Sequence, residues 1–101
     1  MDKDVYKEVR LRSNEFCENC GIFCGDRLEL HHILRRRVTA TTDNCLMLCY
    51  ECHRGKYGVH GAYGRFIDVK LKLKLQDLYI SRGLEEDAVR KIMGGKLYGK
   101  F

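Results

Sequence analysis

Residues 44–53 read NCLMLCYECH, and the order of residue types in this stretch decides the fold. Leu46–Leu48 is a short apolar piece with the length of a strand. It runs directly into Cys49-Tyr50-Glu51-Cys52-His53. Thiolates two residues apart on a tight turn reach one metal ion from the same side. A helix is expected to begin near Tyr50 and to be disturbed by Gly55 and Gly58, because glycine is a poor helix former.

Working outward, a second pair, Cys17-Glu18-Asn19-Cys20-Gly21, lies upstream with 28 residues between Cys20 and Cys49. Cys17, Cys20, Cys49 and Cys52 together make the ligand set of a closed, tetrahedral, structural Zn2+ site. Gly21 suits the knuckle turn, where positive φ lets backbone amides approach the sulfurs. Buried thiols that ligate nothing are the competing reading. A thioredoxin-like redox pair belongs near a βαβ pattern, and none is visible. Cys45 is read as a small buried hydrophobe and Cys24 as an incidental thiol beside the knuckle. Another short β-like piece falls at Leu28–Ile33. A knuckle, a hairpin and a second ligand pair entering a helix are the parts of a treble-clef zinc finger, which by itself does not imply catalysis.

The rest of the chain frames this core. With 101 residues it is expected to be one domain, 1–101, and a domain of this size buries little enough surface that a metal crosslink helps it. The N-terminal stretch MDKDVYKEVRLRSNEF is charged throughout and is no signal peptide, so the expected location is the cytoplasm of a bacterial host, with reduced thiols rather than disulfides. No apolar run is long enough to cross a membrane. Val5, Tyr6 and Val9 predict an N-terminal helix over about 4–14. The segment RFIDVKLKLKLQDLYISRG alternates as a strand would, yet Ile67, Leu71, Leu75, Leu78 and Tyr79 share a helical face. Leu and Lys favour the helix. Leu84 to Met93 predicts a further helix stopped by Gly94 and Gly95, and GGKLYGKF reads as a loose basic tail. The expected organisation is a core over 16–61 with a helical extension over 62–101, without proline, linker or internal repeat.

The net charge is +5. Residues 1–60 carry ten Lys/Arg against nine Asp/Glu and residues 61–101 nine against five, so the excess is C-terminal. Arg35, Arg36 and Arg37 form a local cluster with no acid between Glu29 and Asp43. Such a run is either a solvated loop or a polyanion contact.

LHHI at 30–33, the Asp43-Asn44 pair and NCLMLCYECH, in this order, resemble the HNH endonuclease family, in the subgroup with a C-x-x-C knuckle ahead of the core. The likeness spans residues 17 to 60. It implies a small α+β treble-clef or ββα-metal finger, with one divalent ion (Mg2+, Mn2+, Ni2+ or Zn2+), distinct from the structural zinc, between hairpin and helix. It implies His31 and His53 as ligands of that ion, His32 as the general base that deprotonates the attacking water, and Asn44 as the residue orienting the hairpin loop or His32. Neighbouring strand residues point to opposite faces, so a local twist or bulge is expected to bring His31 and His32 together. His60 is either a third ligand reached through a bent backbone or a surface histidine, since an unbroken helix would carry it about 10 Å beyond His53.

The family's usual proline and Gly-rich turn after the HH pair are replaced here by LRRRVTATT. That favours Arg35, Arg36 and Arg37 as DNA phosphate contacts, joined by Arg54 and Lys56. Tyr57 and Tyr63 are expected to pack in the core. The expected activity is a metal-dependent DNA endonuclease, phage-like in size, working alone, as a homodimer or within larger phage or recombination machinery. The competing class is a non-catalytic treble-clef module that binds DNA or protein.

Overall fold

The computed structural model describes residues 3–34 and 41–99. Helix α1 (Lys3–Ser13) leads into the first knuckle, and a single 3-10 turn (Gly25–Arg27) into strand β1 (Glu29–His32). Strand β2 (Cys45–Leu48) returns antiparallel, pairing Glu29 with Leu48 and His32 with Cys45. Helices α2 (Tyr50–His53), α3 (Arg65–Ser81) and α4 (Glu86–Ile92) complete the order. The fold is the expected small α+β arrangement, a two-stranded sheet among helices.

Local chemistry accounts for these boundaries. Asp4 in the first turn of α1 and Arg10 and Arg12 in the last complement the helix dipole. The helix ends where Asn14 and Glu15 take left-handed φ of 52° and 69° and turn the chain into the knuckle. That turn is held because the Glu15 carbonyl accepts N–H bonds from Cys24 (2.9 Å) and Gly25 (3.2 Å). Arg12 then clamps three segments: its guanidinium donates to the Thr42 carbonyl (2.6 Å), the Cys45 carbonyl (2.7 Å) and the Glu18 carboxylate (3.0 Å). The core beneath is built from Val9, Met47, Leu48, Leu71, Leu75 and Val89, which reach it from α1, β2, α3 and α4.

Segment 65–81 resolves its two-way pattern as a helix, with Leu71 and Leu75 buried. It ends in a Schellman turn: Leu84 N–H bonds the Tyr79 carbonyl, Gly83 N–H the Ile80 carbonyl, and Gly83 sits at φ 83°. Three expectations need correction. The stretch up to Tyr98 is docked rather than loose, because the fully buried Gln76 amide donates to the Tyr98 carbonyl (2.6 Å) and accepts from its N–H (2.7 Å). This pairs a tail backbone that would otherwise need water, and Leu97 and Tyr98 pack on the core beside it. The β1–β2 ladder keeps a one-to-one register through His31 and His32, so no bulge brings the two side chains together. Tyr57 and Tyr63 are 64% and 60% exposed and stack on each other, since the tight coil carrying them leaves the core no room for a ring.

Candidate metal centres and active site

The two knuckles meet as the spacing predicts. The sulfurs of Cys17, Cys20, Cys49 and Cys52 lie within 4.8 Å of one another, and Cys20 and Cys49 are 3.8 Å apart. Two sulfurs each about 2.3 Å from a tetrahedral zinc stand about 3.8 Å apart, so the donor set fits that ion. Backbone N–H groups of Asn19 and Cys20 point at Cys17 Sγ (3.4 and 3.5 Å), and that of Cys52 at Cys49 Sγ (3.4 Å). Burial pushes the Cys17 thiol up, but these donors outweigh it and bring it down to about 7. For Cys49, burial prevails and the thiol is raised. Asn19 adds a side-chain donor to Cys52 Sγ (3.3 Å) and itself accepts from Lys70 Nζ (2.9 Å), which ties α3 to the cluster. Cys45 is buried in the core as expected.

A second cluster forms on the α2 side of the hairpin. In a regular ladder Glu29, His31, Leu46 and Leu48 share one face, and Leu30, His32, Cys45 and Met47 the other. The His31 ring meets His53 on α2 at 5.3 Å and His60 at 5.3 Å, and His53 and His60 stand 4.7 Å apart. One ring nitrogen from each lies within 4.8 Å of the others. His31 and His53 are 2% and 5% exposed, while His60 is open to solvent. Three imidazole nitrogens with an exposed side could hold a metal ion with a position open to solvent, in contrast to the closed cysteine set.

His60 reaches this cluster because α2 stops at His53. The chain then coils tightly with glycine at every third position, Gly55, Gly58, Gly61 and Gly64. Val59, His60 and Tyr63 N–H groups bond carbonyls seven residues back, on Cys52 (2.9 Å), His53 (2.8 Å) and Lys56 (2.9 Å). A Cβ at Gly61 would overlap the Gly55 carbonyl oxygen, and one at Gly64 that of Gly58. This G-x-x-G run is the sequence signal for His60's return that a search for long repeats passes over.

Glu29 is the neighbour of the histidine cluster that the sequence reading missed. Its Oε1 accepts from His53 Nδ1 at 2.8 Å and from Arg54 Nε at 3.2 Å. A carboxylate can only accept, so Nδ1 carries the proton and the Nε2 lone pair of His53 is left for the cluster. The His53 hydrogen bond, with Arg54's charge behind it, holds the Glu29 carboxyl below its ordinary range. The signal was available: residues 29 and 31 flank one position on a strand, so they share a face.

His32 lies on the opposite pleat from the triad, half-buried at the end of β1. Asn44 is fully buried, and both ends of its amide serve Leu34: Oδ1 accepts from the N–H (2.7 Å) and Nδ2 donates to the carbonyl (3.0 Å). The Asn44 carbonyl also accepts from Ile33 N–H (2.8 Å), so this residue closes the base of the β1–β2 loop. Arg54 is partly engaged by Glu29, and Lys56 Nζ lies over the Tyr57 and Tyr63 rings at 5.7 and 5.3 Å. Arg35, Arg36 and Arg37 fall outside the described residues.

A family model, "HNH endonuclease", matches residues 17–58, the span that carries both cysteine pairs, the hairpin and two of the triad histidines. Over residues 17–58 the chain is similar to the HNH endonuclease family. A relative from Escherichia coli strain K12, the "Type IV methyl-directed restriction enzyme EcoKMcrA", is 39% identical over 62 residues, covering 52% of this chain and 22% of that protein. The "Zorya protein ZorE" of Escherichia coli strain Crooks is 31% identical over 55 residues, covering 52% of this chain and 15% of that protein. The chain therefore spans only 22% and 15% of these relatives' own lengths. Among the described residues no helix is long and apolar enough to cross a membrane.

Proposed function

We propose that this protein is an HNH-type nuclease that hydrolyses DNA phosphodiester bonds, with one divalent ion held by His31, His53 and His60 and with His32 as general base. The observation that carries the reading is the convergence of three imidazoles from β1, α2 and the glycine coil, one of them oriented by Glu29. A pure zinc finger has no use for such a cluster beside a complete set of four cysteines. When bound, the ion supplies charge stabilisation for the pentavalent transition state and the leaving oxygen.

The chain's own residues do the rest. Of its four histidines, His32 is the one outside the triad, which leaves its imidazole to take the proton of the attacking water. Asn44 fixes the loop that leaves β1 and thereby the backbone that positions His32. It is a positioning residue. Arg35, Arg36 and Arg37, which follow β1 in the sequence, neutralise DNA phosphates together with Arg54 and Lys56. Chain 1–101 works as one unit, the core over 16–61 buttressed by helices α3 and α4. The bacterial cytoplasm, reached on a phage-encoded or host gene, is the matching location, with a homodimer or larger recombination machinery as the setting.

Incubating the purified protein with supercoiled plasmid and Mg2+, Mn2+, Ni2+ or Zn2+ tests the reading. Nicked or linear product is expected with at least one ion. His32→Ala is expected to slow cleavage by about 10² to 10⁴-fold with the fold and DNA binding intact. Cleavage at the wild-type rate by that variant removes His32 from the mechanism, and a wild type inert with all four ions points to the non-catalytic finger.

A further inference from the structure

The glycine coil that returns His60 to the triad also displays a feature that neither folding nor metal binding explains. Tyr57 and Tyr63 sit three residues before and three residues after His60, and their rings stack at 5.5 Å with an interplanar angle of 30°. Both rings are mostly in water. Exposing two large apolar rings side by side wastes burial energy that a folding role would recover. Lys56 Nζ lies over both rings at 5.7 and 5.3 Å from their centroids, so the aromatic pair carries its own cation. Around it the chain bears Arg54, Lys56 and Arg65, three cations against Glu51, whose carboxylate lies beside Gly55 at the start of the coil. The surroundings therefore complement a polyanion.

Resting on the nuclease reading, we propose that Tyr57 and Tyr63 form a stacking platform for an unpaired nucleobase next to the scissile phosphate, with Lys56 taking a flanking phosphate. The favoured substrate is then DNA with locally unpaired or splayed nucleotides rather than a fully paired duplex. The chemistry selects a base for three reasons. A flat π-face matches a flat π-face whatever the base identity, phosphates accompany every base, and tyrosine holds its ring at little conformational cost. In a paired duplex the base faces are already stacked, and the platform has nothing to receive.

The test compares a fluorescein-labelled duplex carrying a central mismatch bubble with the same duplex fully paired, by anisotropy titration of the zinc-loaded protein. The wild type is expected to bind the bubble roughly 10-fold or more tightly than the paired duplex. Tyr57→Ala/Tyr63→Ala should abolish that ratio while leaving melting temperature, zinc content and binding to the paired duplex unchanged. Tyr57→Phe/Tyr63→Phe should retain the ratio, because stacking survives loss of the hydroxyls. A wild type that binds both duplexes equally, or a double alanine variant that keeps the preference, overturns the platform and leaves the nuclease reading standing. A wild type that binds neither duplex overturns both.

Discussion

Glu29 illustrates how much of this site is settled by single atoms. Its carboxylate fixes which nitrogen of His53 is protonated, holds the ring against rotation and makes the facing nitrogen a better donor. Removing it should not unfold the protein, since Glu29 contributes no core packing and the cysteine cluster is untouched. Glu29→Ala is expected to weaken binding of the second metal ion by about 10 to 100-fold, the range found when such supporting groups are lost. Glu29→Gln, which can still accept at the same place without the charge, should fall between the alanine variant and wild type. Calorimetric titration of Co2+ or Ni2+ into zinc-loaded protein checks this, and an unchanged affinity would remove Glu29 from the site.

At the scale of elements, glycines decide where helices stop, and they do so in two physically different ways. In the coil after α2, Gly61 and Gly64 are required because the backbone passes too close for a side chain. At the end of α3, Gly83 has open space around the position of a Cβ but a φ of 83°. The cost of Gly83→Ala is therefore conformational alone, about 1 to 2 kcal/mol. Denaturant unfolding at fixed zinc should record that loss with an unchanged m-value.

At the scale of the molecule, metal and core cannot be separated. Cys17 follows the turn out of α1, Cys49 caps α2 by accepting from Cys52 N–H, and Glu18 N–H bonds the Met47 carbonyl (2.9 Å). The four sulfurs thus join the knuckle, β2 and α2 at one point. A structural zinc is worth on the order of 10 kcal/mol, comparable to the whole net stability of about 5 to 15 kcal/mol expected for a domain. Cys17→Ser, or chelation of the wild type, is expected to abolish cooperative unfolding rather than lower its midpoint by a few degrees. Near-ultraviolet circular dichroism and zinc analysis check this; a folded, zinc-free protein would refute the structural role.

The sequence alone determined what depends on local spacing. Two C-x-x-C pairs specify a tetrahedral ligand set wherever the intervening chain goes, a short apolar run between turn signals specifies a strand, and a leucine face with lysines specifies α3. It could not decide what depends on which distant groups meet. Gln76 reads as an ordinary polar residue until Tyr98 arrives 22 residues later to pair with it. The tyrosines read as core until the close-packed glycines turn them outward. His60 was undecidable from helix geometry, because the path after His53 is set by carbonyls seven residues back rather than by the four-residue helical bond. Glu29 acquires a role only when α2 lays His53 across β1. Short-range chemistry is written in residue order, whereas a site built from β1, α2 and a coil exists only once packing has set the distances, and hydrogen bonds and ion binding respond to distances alone.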